Sequence, residues 1–186
     1  MAMTNMNTPN ADVDQLECVT GPLRETLESL LYREARLLDR NGQRAWLETI
    51  VDKDINYQVL VRELRSTRDK NVAGPDFVNV YDDDYKMLDA RVRQTETEML
   101  WRANPPERFR RFVTNIEVYR DGASGRLHVY SNCMVVRNRR IYEQATFVYG
   151  REDTFRAGDD GSYRLLKRLV DYDQRFVEGK NLLFFL

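Results

Sequence analysis

Apolar and polar positions alternate with two different periods along this chain. From residue 22 to residue 51 the period is helical. Leu23, Leu27, Leu30, Leu31, Ala35 and Leu38 recur at spacings of three and four and make one stripe. Thr20 or Gly21 is placed to cap this helix, with Pro22 in its first turn. Asn41-Gly42 supplies a residue able to take positive φ and ends it. A short second helix over Gln43–Val51 brings Trp46, Leu47, Ile50 and Val51 together, packed on the first. Asp54–Arg62 switches to a period of two, with Ile55, Tyr57, Val59 and Val61 on one side, and reads as a strand. Glu63–Val80 shows no period and is expected to be a long loop. A third helix follows, entered at Asp82-Asp83-Asp84, carrying Tyr85, Leu88, Val92 and Met99, and ending near Arg102 before Asn104-Pro105-Pro106. The last third predicts four long strands: Phe109–Arg120, Arg126–Arg137, Ile141–Asp153 and Ser162–Asp173. They are rich in β-branched and aromatic residues, and Gly, Asp and Asn punctuate them as hairpin turns. Strands about twice the usual length imply a twisted, curved sheet.

The second and third of these long strands do not alternate cleanly. Leu127, Val129, Cys133 and Val135 lie on one side, but Tyr130, Met134 and Val136 lie on the other; Ile141, Ala145, Phe147 and Tyr149 likewise oppose Tyr142 and Val148. A sheet covered on one face only should alternate apolar and polar residues. Three modest helices cover one face. The remaining apolar surface, together with the terminal Leu182-Leu183-Phe184-Phe185-Leu186, therefore implies a partner. Residues 1–19, without apolar period, read as a mobile tail, and 20–186 as one domain.

Charge and composition narrow the chemistry. The 29 Lys+Arg and 30 Asp+Glu of the 186 residues give a net charge of −1, a poor match to broad phosphate-backbone binding. The arginines around Arg108, Arg110 and Arg111 and around Arg137, Arg139 and Arg140 read as solvated strand ends and carboxylate partners, with subunit contact as a further role. Cys18 and Cys133 have no metal or disulfide spacing, and Cys133 reads as a buried thiol. With no disulfide scaffold in view, a reducing cytoplasm is expected, and the N-terminus lacks the basic segment followed by an apolar run of a signal peptide. The longest apolar run is far short of the ~20 residues of a membrane helix. A single histidine, His128, excludes a two-histidine iron site and a Rieske centre within this chain, and HExxH, GxSxG, GxGxxG and P-loop motifs are absent. His128 itself reads as a face or rim residue of a strand. The aspartates at 82–84 read as a helix start rather than a cation site.

The order helix, short helix, strand, helix and four long strands resembles the cone-shaped, nuclear-transport-factor-2-like (NTF2-like, cystatin-like) α+β fold, with a long, mainly antiparallel sheet and three helices on one face. Six stretches, in order, also resemble the small (β) subunits of aromatic-ring-hydroxylating dioxygenases. They are LLYREARLLD (Leu30–Asp39), AWLETIVDKDINY (Ala45–Tyr57), YDDDYKMLDARVR (Tyr81–Arg93), NPPERFRRFVTNIEV (Asn104–Val118), VYGREDTFR (Val148–Arg156) and DYDQRFVEGKNLLFFL (Asp171–Leu186). The family often has a histidine where Arg111 stands, and Gly-Arg-Arg-Asp where this chain has Gly150-Arg151-Glu152-Asp153.

The resemblance implies a supporting subunit without a catalytic centre, in an α3β3 assembly that hydroxylates an aromatic hydrocarbon or acid. The Rieske [2Fe-2S] cluster and mononuclear iron would sit in the α subunit, fed from NADH through a reductase, in some systems via a ferredoxin. Trp101, Arg108, Arg110, Asn115, Met134 and Val136 are the expected subunit contacts, and Asp173 and Gln174 are expected to order the C-terminal segment. The alternative is a free-standing isomerase or dehydratase of the same fold, with Asp54, Tyr57 and His128 as its proton-transfer candidates.

Overall fold

The computed structural model describes residues 16–62, 77–97, 107–140, 143–158, 160–173 and 184–186. The first helix, α1 (Pro22–Asp39), starts at Gly21, which takes φ 68° and makes no side-chain cap bond. Its buried stripe is Leu27, Leu31, Glu34 and Leu38, so a carboxylate stands at one core position. Asn41 at φ 58° turns the chain, and Gly42 N–H donates to Leu37 O at 2.8 Å. A Cβ on Gly42 would sit 3.0 Å from that same oxygen, so the close approach favours glycine. The short helix α2 (Gln43–Thr49) buries Trp46 and Leu47 against α1.

The sheet has seven strands: β1 (Glu17–Cys18), β2 (Val51–Arg62), β3 (Phe77–Asp83), β4 (Arg108–Arg120), β5 (Leu127–Arg139), β6 (Glu143–Ala157) and β7 (Tyr163–Tyr172). Their order is β1-β4-β5-β6-β7-β2-β3, antiparallel throughout except for the β2–β7 pair. This sheet and the three helices make the expected α+β architecture, in which the four long strands run consecutively at its centre. Two strands depart from the expectation. The end of the segment read as a tail is paired, Glu17 with Arg120 and Cys18 with Tyr119. The end of the expected long loop is β3, which pairs with β2 and leaves Val78 and Val80 exposed.

The third helix, α3 (Tyr85–Glu96), is capped by Asp84, whose side chain accepts from Met87 N–H at 2.8 Å. It ends before the expected Arg102; residues 98–102 lie outside the described set. Arg44 ties α2 to α3 by donating to Asp89 at 2.6 Å and to both oxygens of Glu96 at 2.9 and 2.8 Å. The concave face of the sheet carries Val118, Val129, Val135, Phe147, Tyr149, Leu165 and Val170, which pack with Leu27, Leu31, Trp46, Leu88 and Val92 of the helices in one core.

A bulge interrupts β4, where Thr114 pairs with Asn132 but Glu117 pairs with Tyr130. Asn115 sits in that bulge at φ 52°, a left-handed conformation that asparagine tolerates better than most residues. Beyond it, Arg24 Nη2 donates to Ile116 O at 3.3 Å and fastens the start of α1 to the strand.

Candidate functional site: a filled cone and an apolar outer face

Four charged side chains from three elements meet inside the cone. Glu34 comes from α1, Arg151 and Asp153 from β6, and Arg168 from β7; all are at most 5% exposed. On β6 the parity that buries Phe147, Tyr149 and Phe155 also buries Arg151 and Asp153. Arg168 Nε and Nη2 donate to Asp153 Oδ1 and Oδ2 at 2.7 and 2.9 Å. Its Nη2 also donates to Glu34 Oε2 at 2.9 Å, and its Nη1 lies 2.9 Å from Glu34 Oε1. Trp46 Nε1–H donates to Glu34 Oε1 at 2.7 Å. Arg151 lies 3.4 Å from Glu34 and 3.1 Å from Asp153. Two cations and two anions leave the group formally neutral. Burial alone would raise the pKa of Glu34, but the Arg168 and Arg151 guanidiniums outweigh it and hold the carboxyl at about 2.

Phe184, Phe185 and Leu186 are packed in the same interior. Phe185 packs on Trp46 with ring centroids 4.7 Å apart and meets Tyr57 edge-on at 6.4 Å. Phe184 lies 5.0 Å from both Phe109 and Phe147. Arg111, held by Asp39 Oδ1 at 2.8 Å, donates from Nη2 to Phe185 O at 2.7 Å. Tyr57 O–H donates to Leu186 O at 3.1 Å and accepts from Leu186 N–H at 2.9 Å. Burial pushes the Tyr57 hydroxyl up to about 12, so it stays protonated. These three residues therefore belong to the chain's own core, which corrects the expectation that the whole terminal apolar run faces a partner. Leu182 and Leu183 lie outside the described residues.

The proton-transfer candidates are not brought together. Tyr57 is inside, bonded to Leu186. Asp54 is exposed and pairs with Arg156 at 3.0 Å. His128 is on the opposite face of β5 from the core, its Nδ1 3.4 Å from Thr154 Oγ1. Burial lowers the pKa of His128; Asp121 opposes this, and Arg126 and Lys167 add to it. The aspartates at 82–84 also have three separate employments. Only Asp84 caps the helix. Asp83 closes the strand and pairs with Arg91 at 2.6 Å, and Asp82 accepts from Asn56 and Gln58. No group of three metal-ligating side chains occurs among the described residues. Cys18 is exposed on β1, Cys133 is buried in the core, and the one histidine is across the sheet. These residues do not fit the ligand set of a Rieske cluster or of a mononuclear iron.

The convex face of the sheet is where most of the expected contact residues stand. Met134 and Val136 are half-buried on β5. Met134 pairs with Phe112 on one side and Val148 on the other, and Phe112 and Val148 are 46% and 40% exposed. Phe112-Met134-Val148 is thus a continuous apolar row across three strands. Phe112 had not been singled out from the sequence; the strand register is what reveals it. Arg110 pairs with Val136 and Arg108 with Asn138, and both arginines are exposed. Asn115 lies on the bulge beside two shallow clefts. Asp173 is exposed and its N–H donates to Val148 O at 3.3 Å; partial burial and then Asp171 raise the pKa of its carboxyl. Trp101 and Gln174 lie outside the described residues. The arginine clusters divide by strand parity. Arg111, Arg137 and Arg139 are not solvated strand ends: each is nearly or fully buried, within 3.6 Å of Asp39, Glu143 and Glu107 respectively or closer.

A curved sheet wrapped round three helices, with long consecutive strands and a concave core, defines the NTF2-like class. Within it, residues 33–179 match the model of the ring hydroxylating beta subunit family. The chain is 37% identical over 164 residues to the small oxygenase component of a naphthalene 1,2-dioxygenase system from Pseudomonas aeruginosa, covering 88% of this chain and 85% of that protein. It is 40% identical over 165 residues to the small oxygenase component of a 2,4-dinitrotoluene dioxygenase system from Burkholderia sp. (strain RASC), with the same coverage. A solved structure of naphthalene 1,2-dioxygenase with indole bound superposes with a TM-score of 0.86 at 35% identity, covering 91% of this chain and 88% of the matched one. The chain belongs to the family of beta subunits of aromatic-ring-hydroxylating dioxygenases.

Proposed function

We propose that this chain is a non-catalytic, structural beta subunit: residues 20–186 form one unit that joins two further copies and three large subunits in an α3β3 hexamer. The large subunit would hold the Rieske [2Fe-2S] cluster, the mononuclear iron and the aromatic substrate. Electrons would come from NADH through a reductase, with or without a ferredoxin, in the cytoplasm. The product would be a cis-dihydrodiol of an aromatic hydrocarbon or acid. The observation that carries this reading is how the interior is packed. Among the described residues, Phe184, Phe185, Leu186 and a neutral charge cluster stand inside the sheet, where a free-standing enzyme of this shape would hold its substrate. Relatives named as small oxygenase components support the same role. No helix among the described residues is long and apolar enough to cross a membrane.

The contact residues proposed are Arg108, Arg110, Asn115, Met134 and Val136, together with Trp101; Asp173 and Gln174 are proposed to order the segment that leads to Phe184. Size-exclusion chromatography with light scattering, with and without the cognate large subunit, tests the proposal. The expected result is one species containing both chains in equal number. A chain that stays monomeric and never associates with the large subunit would overturn it.

A further inference from the structure

The convex face of the sheet carries opposite charge at two separate places. We infer that this face is complementary to itself: the arginine end of one copy docks on the carboxylate-lined cleft of the next, head to tail, and three copies close into a ring. The inference rests on the subunit role proposed above and assigns the partner of this face, a second copy of the chain rather than the large subunit.

One place is basic. Arg108 and Arg110 of β4 are exposed. Arg110 also borders, with Arg36 and Arg40 of α1, a cleft of about 470 Å³ whose one carboxylate, Asp39, is already taken by Arg111. Among the described residues, Arg36, Arg40, Arg108 and Arg110 have no carboxylate partner. The half-buried Val136, paired with Arg110, gives this end an apolar floor.

The other place is acidic. Glu117 of β4, Glu152 of β6 and Asp171 of β7 line a cleft of about 240 Å³. Gly150 leaves its floor open, since a Cβ there would meet nothing within 4 Å. Arg151 borders the same cleft, but its guanidinium lies on the concave side with Glu34 and Asp153. The opening therefore presents carboxylates and no free cation, and a guanidinium pairs with a carboxylate through its planar fork of donors.

The strand register sets the geometry. Val136 pairs with Thr146 and Asn132 with Gly150, so the two places are separated along β6 by about 13 Å. Two unlike patches let each copy give one and receive the other, the kind of contact that closes into a ring. The row Phe112-Met134-Val148 lies between them. In a closed ring three such rows converge on the axis, which covers apolar surface that one copy leaves open.

The test uses the full-length chain without the large subunit. Light scattering over a range of concentrations should show a trimer in equilibrium with monomer, weakened by added salt. Arg110→Glu and Glu117→Arg should each raise the concentration at half assembly by about tenfold or more, because each sets like charges face to face. The double variant Arg110→Glu/Glu117→Arg should recover most of that loss. Both positions are exposed, so urea denaturation of these variants should match the parent. Should a reversal unfold the chain, cysteine trapping provides the second test. In a Cys18→Ser background, a chain carrying both Arg110→Cys and Glu117→Cys should oxidise to a covalent trimer, and neither single variant should cross-link. A parent chain that is monomeric or dimeric alone, yet joins the large subunit in one species, would overturn the inference and leave the subunit role standing. A chain that does neither overturns both. Losses that the double variant does not recover, or the absence of a trapped trimer, would likewise sink the inference.

Discussion

Replacing Arg168 by Met should be among the most damaging substitutions in this protein, although it keeps an unbranched side chain of similar reach. Arg168 is fully buried and contacts four carboxylate oxygens at 2.7–2.9 Å. Its loss leaves Glu34 and Asp153 facing Arg151 alone, at 3.4 and 3.1 Å, with one buried negative charge uncompensated. Arg151 cannot make up the difference, because its Nε and Nη2 are buried outside hydrogen-bonding geometry. Removing one member of a buried charge pair costs about 3–5 kcal/mol. Against a typical stability of about 5–15 kcal/mol, that is a large fraction. In a domain of this size it corresponds to a fall in thermal midpoint of roughly 6–20 °C. Urea denaturation of the purified protein measures it directly. Arg168→Met combined with Glu34→Gln restores neutrality, so the double variant should be more stable than the sum of the single losses by about 1 kcal/mol or more. A single loss below about 1 kcal/mol, or strict additivity, would refute this account of the cluster.

The same cluster predicts a sign for acid sensitivity. The pKa of Glu34 is about 2 in the folded chain against an ordinary glutamate value of 4.5. A depressed carboxyl pKa contributes stability that is fully present above the unfolded value and is lost as pH falls through the folded one. For Glu34 this amounts to about 3 kcal/mol, surrendered between pH 4.5 and about pH 2. Glu34→Gln should flatten the stability profile in that window. An unchanged acid slope would show that Glu34 is not held by Arg168 and Arg151.

Asn115 and the convex row supply two further tests. Asn115→Gly should leave urea stability within about 0.5 kcal/mol of the parent, while Asn115→Val should cost about 1–2 kcal/mol, because a β-branched residue resists φ 52°. Equal tolerance of both would mean that the bulge relaxes. Met134→Lys or Val136→Glu should disturb association with the large subunit more than folding; light scattering and urea denaturation on the same preparations separate the two, and normal assembly of both variants would remove this surface from the proposed interface.

The four central strands were legible because they are long runs rich in β-branched and aromatic residues, and the hairpin turns are marked by Gly, Asp and Asn. The strands β1 and β3 were not. Glu17–Cys18 is too short to carry a pattern of its own and exists as a strand because Arg120 and Tyr119 offer it an edge. Phe77–Asp83 is an edge strand whose Val78 and Val80 face outward, and it runs into an acidic stretch that reads more readily as the start of a helix. The charged core was hidden for another reason. A charged residue read alone is assigned to solvent, and only its partners overrule that. Glu34 and Arg168 are 134 positions apart, so their complementarity appears only when α1 is laid across β6 and β7. The available hint was parity: Arg151 and Asp153 share a strand face with Phe147, Tyr149 and Phe155.

The apolar residues on both sides of β5 carry two separate consequences. On the concave side the alternation continues unbroken through Leu127, Val129, Ser131, Cys133, Val135, Arg137 and Arg139, all buried within the chain. Nothing in that series calls for a partner. On the convex side the apolar positions form the row Phe112-Met134-Val148, which the chain leaves partly open. A stable interface buries about 800 Å² on each side, more than three side chains can present. A partner that covers this row must therefore extend beyond it, and strand register names the next members: Val136, the exposed Arg110 paired with it, and Arg108 at the end of the same strand. Arginine suits such a rim, because its guanidinium can pair with a carboxylate or backbone carbonyl while its stem covers apolar surface.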